Sequence, residues 1–351
     1  MIITLYSVLH MLVDGACALA MFGWFCDGTY GYLNILLYNF CAFAMQMPLG
    51  VLLDLGTIRI YKKKGSSDLA YIYVVTGVVL TIIGALTHPI VLGMGNALFH
   101  IGGGVDVIRE DRVHQWNGQT LGLFVAPGAL GLYLGSLLGK QADRHFQVSG
   151  LVIVSLMMLS LLGILYRSLW QSRNRRIMHS YIGNEMNEKE NLDNSVVVCC
   201  VVVVILRSYI GMAVGFSWKT TVLMGLLSVL AVALGKAAGG ILAARFDRRK
   251  VIAGSLILAG ICYGFSNHVI FGIAALFFFN MTMPTTLYLL VERFIRLPGA
   301  VFGLLTFALF LGFLPVYYDI KLPISGPWIG MVGSVVSVGL LLAVERRARR
   351  K

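Results

Sequence analysis

Charge is scarce in this chain. Asp, Glu, Lys and Arg make up 13% of its 351 residues and only 16 are acidic, against about a quarter charged in ordinary soluble domains. Recognisable catalytic signatures are missing as well. The sequence holds no G-x-x-x-x-G-K-[ST] phosphate loop, no G-x-S-x-G elbow and no H-E-x-x-H pair. ATP-driven work by this chain alone and hydrolysis by a serine or zinc centre lose their motifs, so the chain is not expected to be an enzyme and no cofactor is implied. The six cysteines (Cys17, Cys26, Cys41, Cys199, Cys200 and Cys262) form no C-x-x-C pair and lie in or beside apolar runs. They suggest neither a zinc site nor a disulfide framework, and no metal is expected.

Apolar surface is what the chain has in excess. Hydrophobic residues make up 58% of it and the mean hydropathy is +0.82. A bilayer core takes roughly 20 apolar residues per helix. Such stretches occur near 3–26, 30–53, 69–87, 89–108, 118–139, 148–168, 195–217, 220–244, 250–266, 268–290, 298–317 and 325–345. Val196–Ile205 would read as a buried strand by propensity, but a lone strand in lipid leaves its backbone unsatisfied. Barrel strands are shorter and alternate in polarity, which these runs do not. The first run contains His10 and Asp14 and follows no basic segment, so it is read as a retained helix and not a signal peptide.

The net charge of +12 is distributed by loop. The even-numbered loops and the C-terminus carry 22 of the 28 Lys and Arg residues, and the odd loops carry four, Lys140, Arg144, Lys219 and Lys321. The positive-inside rule places both termini and the even loops in the cytoplasm of a multi-pass cell-membrane protein. That pattern explains the basic excess without nucleic acid. Arg207 and Lys236 remain inside the predicted spans.

Residues 169–194 form the one long polar stretch and divide the spans six and six. The expected organisation is a bundle over 1–168, a cytoplasmic linker over 169–194 and a bundle over 195–351. An internal repeat supports it: Asn96 and Arg109 align with Asn280 and Arg293 at a constant offset of 184.

Depth marks the candidate site. At 1.5 Å of rise per residue, Asp14, His100, Arg207 and Asn280 lie about 16–18 Å into their spans, and His10 and Lys236 roughly 10–12 Å from the cytoplasmic ends. A charge there costs at least about 2.5–3.5 kcal/mol unless paired or hydrated. His10 and Asp14 share a helix face, as do Asn96 and His100. A desolvated Asp14 with His10 on the next turn suits proton coupling. Arg207 and Lys236 suit an anionic or zwitterionic small-molecule substrate, and Phe99, Phe124, Tyr133 and Tyr209 an apolar wall. The bland alternative is an Asp14–Arg207 structural ion pair beside a core histidine.

Several motifs carry a family resemblance. Gly50-x-Leu52-x-Asp54 and Gly240-x-Leu242-x-x-Arg245-x-x-Arg248-Arg249-Lys250 resemble the two copies of the loop signature of the major facilitator superfamily. Gly118-x-x-x-Gly122-x-x-x-Ala126-Pro127-x-x-Leu130-Gly131 resembles its antiporter signature. His10-x-x-x-Asp14, Gly95-Asn96-x-x-x-His100 and Leu121 to Gly128 are similar to the fosmidomycin-resistance branch. The resemblance implies an all-α membrane protein of 12 transmembrane helices in two pseudo-symmetric six-helix bundles, working by alternating access as a monomer. It also places spans 1, 4, 7 and 10 around a central cavity. That puts His10, Asp14, Asn96, His100, Arg207 and Asn280 around one volume. Asp54, Asp106, Arg109 and Glu110 are expected at a cytoplasmic gate, with Arg245, Arg248, Glu292 and Arg293 as counterparts in the second half. The expected function is proton-coupled efflux of an anionic or zwitterionic solute. Uptake, uniport and lipid transport remain open alternatives. Gly118, Gly122, Ala126 and Gly131 read equally well as helix packing alone.

Overall fold

The computed structural model describes residues 1–64, 69–171, 193–320 and 324–348, with side chains left aside at 61–64, 170–171 and 348. Most of the expected linker over 169–194 lies outside these residues. The described residues are all-helical.

Among the described residues twelve helices run in chain order, taking segments joined by a π turn or a one-residue break as one. They are α1 (Ile2–Ala20, prolonged by a π turn over Met21–Phe25), α2 (Gly31–Asn39, a π turn over Phe40–Ala44, then Gln46–Lys64) and α3 (Leu69–Thr87). Next are α4 (Pro89–Val113), α5 (Gln119–Gln141), α6 (Arg144–Gln171) and α7 (Asn194–Ala213). The last five are α8 (Val222–Arg245), α9 (Arg248–Gly264), α10 (Val269–Asn280 and Thr282–Val291), α11 (Pro298–Tyr317) and α12 (Gly326–Ala348). Eleven are long and apolar enough to cross a membrane. The exception is α9, which has 17 residues and opens on Arg248, Arg249 and Lys250.

Local signals set the helix ends. Asp247 caps α9 by accepting from Arg249 N at 2.9 Å, and Thr221 caps α8 by accepting from Met224 N at 3.2 Å. Pro89 and Pro298 occupy first-turn positions, where the missing N–H costs nothing. The predicted span at 268–290 is broken at Met281, so Thr282 starts a new helical segment in mid-span.

The exterior is apolar, with Ile153, Leu156, Ile270 and Val335 all exposed. In water this surface would aggregate; in hydrocarbon it is the solvated face. The core sits around α4, the most enclosed span, whereas α6 is peripheral. Small residues set the close approaches. A methyl at Gly131 would strike the Met11 carbonyl, so α1 and α5 touch backbone to backbone, and Gly122 faces Gly240 across α5 and α8. The pairs α5–α8 and α2–α11 connect the first six helices to the last six.

One expectation needs correction. Gly118 lies outside the body of span 5, before α5 with φ +88°, a left-handed turn that disfavours a side chain, and a methyl there would also strike the Tyr288 ring of α10. Its amide donates to Asp111 Oδ1 at 2.7 Å, which fixes the loop before the helix.

Candidate functional site

The polar centre lies between α1 and α4, walled by α5. His10 and Asp14 stand one turn apart on α1, and the i,i+4 spacing puts His10 Nε2 3.1 Å from Asp14 Oδ2. Asn96 and His100 have the same spacing on α4. Asn96 Nδ2 donates to Asp14 Oδ1 at 3.1 Å, and His100 Nε2 lies 3.6 Å from that oxygen. The two imidazoles then meet, His10 Nε2 to His100 Nε2, at 2.8 Å. His10 and Asn96 are only 5% and 2% exposed, so water does not substitute for these partners.

The other ring nitrogens are committed. His10 Nδ1 faces the Phe124 carbonyl at 2.8 Å and His100 Nδ1 faces the Asn96 carbonyl at 2.8 Å. A carbonyl only accepts, so each Nδ1 carries the proton and each Nε2 of a neutral ring presents a lone pair. Two lone pairs at that separation repel. The arrangement is satisfied by a single cationic proton held between the rings, with the Asp14 carboxylate beside both as counter-charge. Phe99 and Phe124, both fully buried, lie against the His10 ring with centroids 6.3 and 4.8 Å away.

The cations of α7 and α8 lie across the core. Arg207 is buried, and its Nη2 donates to Thr282 Oγ1 at 2.5 Å, a contact made available by the break in α10. Its guanidinium stands 5.9 Å from the Phe279 ring, and its Nε has no hydrogen-bond partner. No carboxylate pairs with Arg207 among the described residues, which removes the Asp14–Arg207 ion pair as the explanation of both charges. Beside Arg207 is a cavity of about 50 Å³ bounded by Val125, Val204, Met283, Leu287, Phe302 and Leu305. Lys236 is half-buried and makes no hydrogen bond among the described residues. Asn280 uses one amide N–H on Leu276 O of its own helix at 2.8 Å, which leaves its second N–H and its Oδ1 uncommitted by that bond.

No protein-family profile matches the sequence, and neither does any curated protein. Solved structures do. The chain and the E. coli fucose:proton symporter FucP superpose with TM-scores of 0.56 and 0.57 in two structures, at 13% and 12% identity over 98% of each chain. The human organic anion transporter MFSD10 (TETRAN) superposes with a TM-score of 0.63, at 12% identity over 98% of both chains. This is the major facilitator fold. Likeness at this level of identity carries the architecture and nothing about the solute.

Within the major facilitator fold, the expected gate residues sort into two groups. At the end of the molecule rich in basic residues, Asp54 of α2 accepts from Gly299 N at 3.1 Å and Ala300 N at 2.8 Å, capping the N-terminus of α11. The contacts of Arg248, Glu292 and Arg293 described next lie within the last four helices. Arg248 Nη1 pairs with Glu292 Oε2 at 2.8 Å and its Nε with Glu345 Oε1 at 2.7 Å, while Arg293 reaches the Val344 carbonyl at 3.5 Å. Asp106 accepts from Tyr6 OH at 2.5 Å, and Glu110 pairs with His114 at 3.4 Å. Arg109 is buried with an unsatisfied Nε, and Arg245 is exposed at the end of α8.

Two contacts had not been singled out from the sequence. Arg112 of α4 donates to Val291 O at 2.5 Å and Ile295 O at 3.0 Å, seating the end of α4 on that of α10. At the opposite end Tyr32 OH donates to Tyr317 O at 2.7 Å, Tyr317 OH donates to Tyr32 O at 3.0 Å, and the rings stack at 4.0 Å. The core is thus latched at both ends around a small cavity.

Proposed function

We propose that this chain is a proton-coupled secondary transporter of a small organic anion. On this reading residues 1–168 and 195–351 are two six-helix bundles that rock about the central site. The basic end and both termini face the cytoplasm, and the monomer works in the cell membrane. His10, His100 and Asp14 hold the coupling proton, Asn96 orients Asp14, and Arg207 and Lys236 receive the anion.

The observation that carries this proposal is the pair of facing Nε2 atoms at 2.8 Å, whose Nδ1 partners leave room for one shared proton. It supplies a cation site on α1 and α4, and we assign Lys236 of α8 and Arg207 of α7 as the cations that receive the anion. With the proton on the imidazole pair, Asp14 is neutralised locally and Lys236 is released to an incoming anion. Once the proton leaves, Asp14 competes with that anion for Lys236. Proton and anion therefore favour each other's binding, and the coupling is reciprocal. This sign favours symport over the antiport that the Gly118–Gly131 motif implied. Efflux remains the reading of that motif alone, and its Gly122 and Gly131 are occupied in helix contacts.

The test is purified protein in liposomes with an internal pH dye, screened against organic anions, phosphonates, amines and sugars, with Asp14→Asn alongside. Internal acidification on adding an outside anion, lost in Asp14→Asn, supports symport. Internal alkalinisation under the same conditions supports antiport. Solute or lipid flux with no proton movement in any condition overturns coupling at this site.

A further inference from the structure

The same three side chains that would hold the proton form a metal-ligand set. We propose that His10, His100 and Asp14 bind a divalent transition-metal ion of the Zn²⁺ class, which takes the place of the shared proton and arrests transport. This rests on the reading of the triad as a cation site and adds a second occupant that regulates it.

The donor geometry supports it. Three ligand atoms, one from each residue, lie within 4.8 Å of one another. The two Nε2 atoms are 2.8 Å apart, and the Asp14 carboxylate offers one oxygen to each ring, Oδ2 at 3.1 Å from His10 Nε2 and Oδ1 at 3.6 Å from His100 Nε2. Donors about 2.0–2.1 Å from a tetrahedral Zn²⁺ stand roughly 3.3 Å apart, so all three can reach one ion with small adjustments. Two imidazoles and a carboxylate suit a transition metal better than Ca²⁺ or Mg²⁺, which prefer oxygen.

The surroundings are those of ligating histidines. Each Nδ1 is held by a backbone carbonyl, which fixes the tautomer with the Nε2 lone pair aimed at the ion. Asp14 is held in turn by Asn96. Gly128 of α5 keeps the facing space open, since a methyl there would collide with His10 Nε2 and lie 2.6 Å from Asp14 Oδ2. Because a metal needs both Nε2 lone pairs, it and the shared proton exclude each other.

The experiment is titration of untagged, detergent-purified protein with Co²⁺, reading its visible ligand-field absorption. The expected result is one saturable set of bands per chain, displaced by Zn²⁺, absent in His10→Ala and His100→Ala, and at least tenfold weaker in affinity in Gly128→Ala. Circular dichroism and size-exclusion elution check that each variant folds. Should the histidine variants fail to fold, Gly128→Ala and Asp14→Asn carry the test through their affinities. No bands at millimolar Co²⁺, or bands undiminished in every folded variant, overturn the proposal. The spectrum needs no transport: bands without proton-coupled flux would sink the transport reading and leave the metal site standing, and flux without bands would do the reverse.

Discussion

His10 and His100 face each other Nε2 to Nε2 at 2.8 Å, and neither ring can turn away without breaking its Nδ1 bond to a backbone carbonyl. A strained pair of neutral rings becomes a satisfied one by gaining a cation. The backbones of α4 and α5 therefore fix the orientation of the two rings as much as the side chains do.

Arg207 has a different kind of incompleteness, a buried guanidinium with one hydroxyl partner and an unsatisfied Nε. Charged hydrogen bonds contribute about 1.5–3 kcal/mol. Arg207→Ala is expected to weaken anion binding roughly 10- to 150-fold by the same figure, measured as the KM of uptake. Arg207→Lys should restore it only in part, because an ammonium lacks the planar fork. Arg207→Met should melt in detergent no lower than the wild type, since it removes an uncompensated buried charge.

Asp54 ties α2 to the start of α11 through two backbone amides. Losing such a cap costs about 0.5–2 kcal/mol. Asp54→Ala should raise the labelling rate of a cysteine placed at Val125 by a membrane-impermeant thiol reagent applied at the basic end. The expected increase is roughly 2- to 30-fold, that cost converted to a population ratio. An unchanged rate would remove Asp54 from the gate.

Tyr32 and Tyr317 form a reciprocal latch in which each hydroxyl bonds the other's backbone and the rings stack. Both single Tyr→Phe variants should open the opposite end by a small factor. Tyr32→Ala and Tyr317→Ala should couple, with an interaction energy of about 0.5–1.5 kcal/mol for the ring pair, read from a double-mutant cycle on labelling from that side. Additive effects would mean the rings do not act together.

Gly131 leaves no room for a side chain beside the Met11 carbonyl. Gly131→Val should push α1 from α5 and shift His10 off Phe124 O. The expected outcome is a melting temperature several degrees lower together with lost proton coupling, whereas Gly163→Ala, with open space around its position, should change neither.

Much of this architecture was legible in the sequence because lipid imposes a simple rule: among the described residues eleven of the twelve apolar runs became helices long and apolar enough to cross a membrane, and the run at 250–266 became the 17-residue α9. The i,i+4 pairs His10–Asp14 and Asn96–His100 were also legible, since spacing within one helix fixes a shared face. How those faces meet was not, because the 2.8 Å imidazole contact depends on the approach of α1 to α4. Asn280 has the right depth and uses one amide N–H on Leu276 O, a local bond open to any helical Asn. Thr282 gave no signal, as its role depends on the break at Met281. Tyr32 and Tyr317 read as ordinary interfacial aromatics. Arg112 was one basic residue among many at its end until the structure placed it on the carbonyls of Val291 and Ile295.

The most direct test of the coupling site separates exchange from accumulation in the same liposomes. With a transported anion in hand, Asp14→Asn should still exchange labelled for unlabelled anion across the membrane, because Arg207 and Lys236 remain. It should lose accumulation driven by an imposed pH gradient. Accumulation at the wild-type level in Asp14→Asn would contradict the assignment of the proton to the His10–Asp14–His100 site.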